Sequence, residues 1–408
     1  MPTPQPLNPP ALCLHPFRAV RYDPLRVGDI AGMVCPPYDD IGPDRLRALR
    51  SRPHHITRLL HAENARGTAA HLDRWLRRGV LVQDPRPALY VYQQHTGHEV
   101  LQRGVIGALD LPCNGESTVL PHEGVQPHVV TARAALMEGL RAQPEPLLLA
   151  YNSATRSAEG VIDGVTHLPP LATFRTGGIT HTLWACTTPE EQAVVAADLA
   201  PHQALIADGH HRYAACRQLR DRHGPGPNPW QSCLALLVDT SAYPLRLAAI
   251  HRVVPGLDAD KAAAAVADVA RVRPLPAGAR LPEPGELVLT GAGRAWTITD
   301  PDPHALNEAL TGKPHQWRDV PAAVTDHLLL AQAWSVQNLP GAVRHVHDAS
   351  EATAAVTRPG SGTALLLPSM TERSVRELAG AGVLLPRKST SFGPKPAMGL
   401  VLRVLDSR

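Results

Sequence analysis

The chain has 408 residues, 44% of them hydrophobic, enough to bury a sizeable core and to form two or three domains. Its 40 Lys and Arg against 37 Asp and Glu leave a formal charge of +3, which is no footprint for nucleic acid or an anionic membrane surface, so small molecules or other proteins are the expected partners. Six cysteines without a CxxC pair argue against a zinc ribbon or a disulfide framework, and neither a signal-like start nor an apolar run of about 18 residues occurs, so a cytoplasmic setting is expected.

Residues 1–14 are expected to form a disordered tail, Pro-rich over the first ten, with ordered chain beginning at His15-Pro16-Phe17-Arg18-Ala19. Val34 leads into a Cys-Pro-Pro-Tyr-Asp turn, after which Gly42-Pro43-Asp44 opens a helix striped by Leu46 and Leu49. A second helix over 65–79 places His71, Leu72, Trp75 and Leu76 near a 3.6 period and stops at Gly79. ALYVYQQH and RGVIGALDL read as a strand pair, with Tyr90 and Tyr92 alternating onto one face. Residues 121–151 give a polar loop, a helix from about Thr131 and a strand. HTLWACTT is a further strand, PEEQAVVAADL a helix opened by Pro189, and ALIA at 204–207 a strand that runs into a helix ending near His223-Gly224-Pro225. SCLALLVDT is an apolar strand. From about residue 256 follow a hairpin (ELVLTGAGRAWTIT), a helix (VPAAVTDHLLLAQAW), a strand (GTALLLP), a helix over 371–380 and a closing strand (MGLVLRVL). This alternation gives an α+β (mixed α/β) class, with a core domain over 15–255 and a C-terminal α/β region over 256–408.

Three polar stretches carry chemistry. In LIADGHHRYAAC, residues 205–216, a strand delivers Asp208-Gly209-His210-His211-Arg212 into a helix N-terminus, where backbone N–H groups, the helix dipole and Arg212 favour an anion, above all a phosphate. The alternative is that Asp208 simply caps the helix, worth about 1 kcal/mol; the residues alone leave both readings open. His122-Glu123, after Pro121, suits acid/base work or Mg²⁺, or is a solvated pair. RKSTSFGPKP, residues 387–396, gathers Lys388, Ser389, Thr390 and Lys395 without Walker A spacing. It is either a phosphate clamp or an exposed connection. Arg18 and His251-Arg252 are further basic candidates. Adjacent histidines diverge by about 100° on a helix and share a metal poorly, so a zinc site would have to combine His122, Glu123, His210 and His211. GxSxG, HExxH, GxGxxG after a strand and kinase signatures are all absent, which leaves the phosphate-loop reading.

The ordered series HPFRAVRYD, CPPYD, PHEG, EPLLLAY, IADGHHRYAA, AAIHRVV and KSTSFGPKPAMGLV resembles, nearly from end to end, the bacterial and archaeal family known as domain of unknown function 1015. The DGHHR segment by itself resembles the signature of the ParB/sulfiredoxin superfamily, whose members bind nucleotides or phosphorylated ligands at a strand-turn-helix. Among them is a free serine kinase that uses an aspartate in a similar segment together with an upstream glutamate. The resemblance implies a ParB/sulfiredoxin-like core, Asp208 as a catalytic base or metal-orienting carboxylate, and Glu123 as the upstream glutamate beside His122. It further implies Gly209, His210, His211, Arg212, Lys388, Ser389, Thr390 and Lys395 on phosphate or nucleotide, with ATP or ADP and Mg²⁺ as cofactors. The implied function is a phosphotransferase-like enzyme acting on a small hydroxyl or phosphoryl metabolite such as serine or phosphoserine. A non-catalytic phospholigand-binding module of ParB type is the alternative, and the oligomeric state stays open. Two departures bear on activity: Ala132-Arg133 stands where the family carries Asp-Arg, and the usual aromatic of the KST segment is shifted to Ser391 and Gly393.

Overall fold

The structure, a computed structural model, describes residues 11–35, 41–60, 65–112 and 118–405. Residues 1–10, the Pro-Pro-Tyr-Asp part of the expected turn and Cys113 lie outside them. Residues 11–14 of the expected tail belong to the core instead: Leu12 and Leu14 are buried, and Leu14–His15 pairs with Leu109 and Ala108.

The chain forms two units. The larger comprises the residues up to Leu120, Val125–Leu245 and Pro394 onward; the smaller comprises Pro121–Gly124 and Arg246–Gly393. This differs from a single cut near residue 255. The strand Arg246–Ala249 pairs with Thr390–Gly393, which draws both into the smaller unit, and the chain after Gly393 returns to the larger one. Both units mix helices with sheets, so the class is α+β.

The larger unit is built on a nine-stranded mixed sheet in the order Val119–Leu120, Ala204–Asp208, Leu147–Tyr151, Ser232–Asp239, Glu99–Asp110, Leu89–Thr96, Ile179–Cys186, Ala172–Thr176, with Leu14–His15 added beside Glu99–Asp110. LLLAY and SCLALLVD are buried throughout, the pattern of strands covered on both faces. One face, with Val91, Val105, Leu147, Leu149, Ile206 and Leu237, packs on Ala134 and Met137 of the helix Pro127–Leu140 and on Ala215, Cys216 and Leu219 of the helix His210–His223. The first of these helices starts at Pro127 rather than near Thr131, because a proline at the first helical position already has the required φ.

Register places Tyr90, Tyr92, Gln94 and Gln102 on the opposite face. There the Tyr92 hydroxyl lies 2.7 Å from His181 Nδ1 and accepts from Ala397 N–H (3.2 Å), while Gln94 and Gln102 donate to the Lys395 and Pro394 carbonyls at 3.2 and 2.8 Å. These bonds hold the returning C-terminal segment. The expected closing strand is accordingly short: only Arg403–Val404 pairs, with Ala142–Gln143, and Met398 and Leu402 make single bridges.

The smaller unit carries a six-stranded antiparallel sheet ordered Arg271–Pro274, Arg294–Thr299, Leu287–Gly291, Gly362–Leu366, His251–Pro255, Arg344–Val346. Its expected hairpin turns at Ala292 and Gly293, with φ of 50° and 76°, as a tight two-residue turn requires. The expected helix over 320–334 is α-helical only at Pro321–Ala323 and continues as a π-helix over Val324–Ala333, closed by Trp334 N–H to Leu329 O at 3.0 Å. That segment carries Asp326, which takes the guanidinium of the fully buried Arg252 at 3.0 and 3.1 Å. Arg252 also donates to the carbonyls of Ile250 (2.7 Å) and Lys388 (2.9 Å). Arg252 is therefore a brace of this unit rather than a ligand-facing cation, and His251 beside it accepts the Leu367 N–H at 3.1 Å.

Two outcomes follow from these buried polar groups. Replacing Arg252 by Leu strands the Asp326 carboxylate and should lower stability by about 3–5 kcal/mol in urea titration, with much of the loss recovered in the Arg252→Leu/Asp326→Leu pair; a loss below about 1 kcal/mol would contradict the brace. Burial also pushes the imidazoles of His55, His181 and His251 down to about 4. Unfolded histidines titrate near 6.5, so between those values the unfolded chain binds more protons, and stability should fall as pH drops from about 6.5 toward 4. Urea midpoints that stay constant from pH 7.5 to 5 would refute this, and His181→Gln should flatten the slope.

Candidate functional site

The site in the larger unit is set by a break in strand register. Leu205 pairs with Ala150 and Ile206 with Leu149, but the next partner of Leu148 is Asp208, so one residue is skipped. Regular alternation would put Ala207 on the face shared by Leu205 and Leu148; the bulge puts Asp208 there instead. That face is the one opposite the helices, where the C-terminal segment lies. Lys395 reaches from it to Asp208, Nζ to Oδ1 at 3.0 Å.

Gly209 follows with φ +102° and serves as the N-cap of the 14-residue helix His210–His223. A Cβ at this position would stand 2.9 Å from Leu147 Cδ2 and 3.1 Å from Arg212 Nε, so glycine answers both a left-handed backbone and the close approach of the Arg212 guanidinium. No side chain caps this helix and its first turn holds no acidic residue. The Asp208 carboxylate is engaged by Lys395 and, through Oδ2, by the NH2 group of Arg212 four residues on, while its side chain keeps 25% exposure. The remaining edges of Arg212 meet the Pro146 carbonyl and the carboxylate of Glu145, Nε to Oε2 at 3.7 Å. His211 Nε2 accepts the Gln126 N–H at 3.0 Å, which leaves Nδ1 as the protonated nitrogen of a neutral ring.

The other expected site residues belong to the smaller unit. His122 is buried. Its Nε2 lies 2.9 Å from Thr390 Oγ1, its ring sits against Phe392, and its carbonyl accepts the Leu385 N–H at 2.7 Å. Glu123, half-buried, forms a parallel bridge with Leu385. The hydroxyls of the KST segment turn inward: Ser389 donates to Pro386 O, Thr390 meets His122, and Ser391 meets His347 Nδ1 at 3.1 Å. Lys388, at φ +59°, gives its carbonyl to Arg252. RKSTSFGPKP thus spans the boundary between units, with Lys395 alone of its candidate residues in the larger one. Among the described residues no three His, Cys, Asp or Glu side chains gather to hold a metal ion, so the four-residue zinc site is not formed. No helix among them is long and apolar enough to cross a membrane.

A model of the family described as "Protein of unknown function (DUF1015)" matches residues 14–324. The chain belongs to the DUF1015 family. The matched region contains His122, Glu123 and the 208–212 segment and ends before the KST loop. No curated protein matches the chain. Among solved structures, a free serine kinase in complex with AMP is 14% identical, covering 70% of this chain and 89% of its own, with a TM-score of 0.38. SbnI with a C-terminal truncation from Staphylococcus aureus is 10% identical over 73% and 87%, with a TM-score of 0.38. A conserved hypothetical protein from Pyrococcus furiosus is 16% identical over 71% and 92%, with a TM-score of 0.37.

Sequence reading of this DUF1015 member passed over Glu145, Gln94 and Gln102, the residues that hold Arg212 and the Lys395 segment. The available signal was a charged or amide side chain inside or at the end of an otherwise apolar strand, as in EPLLLAY. Gly209→Ala should cost about 1–3 kcal/mol through backbone strain alone, read from the urea midpoint, and should shift the Arg212 and Asp208 side-chain resonances. A variant as stable as the parent, with those resonances unmoved, would show that the close approach is not required.

Proposed function

We propose that the protein is a nucleotide-dependent phosphotransferase-like enzyme acting on a small hydroxyl or phosphoryl metabolite, serine and phosphoserine being the compounds to try first, in a cytoplasmic setting. The observation that supports this reading is the meeting of Asp208, Arg212 and Lys395 at the N-terminus of the helix His210–His223. Backbone N–H groups at Gly209, His210 and His211, the helix dipole and the Lys395 ammonium favour phosphate oxygens at that point, and Asp208 is the carboxylate within reach of an acceptor hydroxyl. A carboxylate suffices in that role because a loose phosphoryl-transfer transition state asks for positioning and charge rather than strong proton abstraction. One carboxylate does not make an all-protein Mg²⁺ cage; the donor set fits Mg²⁺ carried on ATP or ADP phosphates, where the ion would neutralise charge. In the smaller unit, His122 holds the KST segment through Thr390.

A second reading, a non-catalytic phospholigand-binding module, is favoured by one observation: both carboxylate oxygens of Asp208 are already paired with cations. The two are separated by incubating the protein with Mg²⁺ and ATP, ADP or CTP plus serine, phosphoserine and a metabolite pool, and following products by phosphorus NMR. A new phosphorylated product is expected, and Asp208→Asn should lower its turnover by at least about 10²-fold while nucleotide affinity changes by less than about threefold. Saturable binding without product would establish the module, and affinity falling in parallel with turnover would refute the role of Asp208 as base.

A further inference from the structure

We infer that Glu145 is a positioning residue that acts through Arg212 on Asp208, and that Arg212 is a brace for the carboxylate rather than a ligand of the phosphate. This rests on the proposed role of Asp208 as the group that meets the acceptor hydroxyl. Glu145 is 6% exposed, a costly place for a carboxylate, since an ion taken out of water loses several kcal/mol unless well paired. Its pairing is loose: Oε2 lies 3.7 Å from Arg212 Nε and 3.9 Å from a terminal nitrogen of Arg133, both beyond hydrogen-bond range, and Oε1, buried, has no hydrogen-bond partner. Arg133, Gln143, Glu145 and Arg212 line a small cavity with room for about one water. A core with no further task would place an apolar side chain here.

What the charge does is read from Arg212. The guanidinium offers five N–H donors in a fixed plane, and three of its edges are taken: Nε faces Glu145, one terminal nitrogen meets the Pro146 carbonyl and the other meets Asp208 Oδ2. Glu145 and Pro146 are consecutive, so one short stretch at the start of the strand Leu147–Tyr151 fixes the plane, and the plane fixes where Asp208 sits. With its side chain only 15% exposed and its fork engaged by protein, Arg212 has little left for a bidentate grip on phosphate. Lys395 is the cation left for that part.

The test uses Glu145→Gln, which keeps the shape and removes the charge, with Glu145→Asp in reserve should the amide variant fail to fold. In protein labelled with ¹⁵N-arginine, the Nε–H signal of Arg212, assigned by its loss in Arg212→Lys, should exchange with water at least about tenfold faster in Glu145→Gln than in the parent. With the product-forming assay, kcat should fall about tenfold or more while KM for the nucleotide stays within about threefold. An unchanged Arg212 signal would overturn the inference, as would a raised nucleotide KM at constant kcat, the mark of a lost phosphate ligand. If the parent forms no product at all, the proposed function fails, and the exchange rate of the Arg212 signal still decides whether Glu145 holds it.

Discussion

The position of Asp208 hangs on one skipped residue in a strand pair. Side chains alternate with period two, so a register shift of one moves every following side chain to the other face. In the strand Ala204–Asp208 the shift comes after Ile206, late enough to leave Leu205 and Ile206 in the core and early enough to swing Asp208 to the side where Lys395 arrives. With regular register the carboxylate would point toward the helices, into the layer that holds Leu147, Leu149 and Ile206, away from the face where Lys395 arrives.

The face that receives Asp208 is unusual for a buried sheet surface in its hydrogen-bonding groups. Tyr90, Tyr92, Gln94 and Gln102 follow one another at even spacing, and a buried hydroxyl or amide left unpaired costs about 1–3 kcal/mol. Each meets a main-chain group, Ala19 N–H for Tyr90 and Pro394 O, Lys395 O and Ala397 N–H for the rest, and the two tyrosines also meet the side chains of Asp84 and His181. A Gly-Pro step at 393–394 turns the chain from one unit to the other, and the polar face then specifies its path within two residues. Lys395 is placed by these carbonyl contacts, before its ammonium meets any carboxylate.

Local patterns carried far in this chain, and pairing at a distance did not. The proline openings at Pro43 and Pro189, the strand-turn-helix at 204–223 and the hairpin at 287–299 follow from periodicity and backbone preference, which a single sequence displays. Periodicity does not separate an α-helix from the π-helix at 324–333, since both give a mixed apolar run over ten residues. Nor does composition say that Ser389 and Thr390 spend their hydroxyls on Pro386 and His122; a loop rich in hydroxyls reads the same whether they face solvent or core. The segment 208–212 was legible because all its parts are contiguous. Glu145 and Gln102 were not, because their partners lie 67 and 292 positions away in one direction or another along the chain.

The two cations on Asp208 are not equivalent, and their difference bears on what the site can do. Arg212 lies in the first turn of the helix that follows Asp208, and its planar guanidinium meets the Pro146 carbonyl and faces Glu145 as well as holding Oδ2. Lys395 contributes a compact ammonium at the end of a four-carbon stem, 3.0 Å from Oδ1, while its carbonyl accepts from Gln94. In the proposed phosphotransferase, an arriving phosphate would compete for the ammonium more readily than for the guanidinium, and a lysine that changed partner would leave Oδ1 of Asp208 to a hydroxyl while Oδ2 stayed held. An aspartate gripped by two arginines would lack this asymmetry between a planar fork and a point charge on the two carboxylate oxygens.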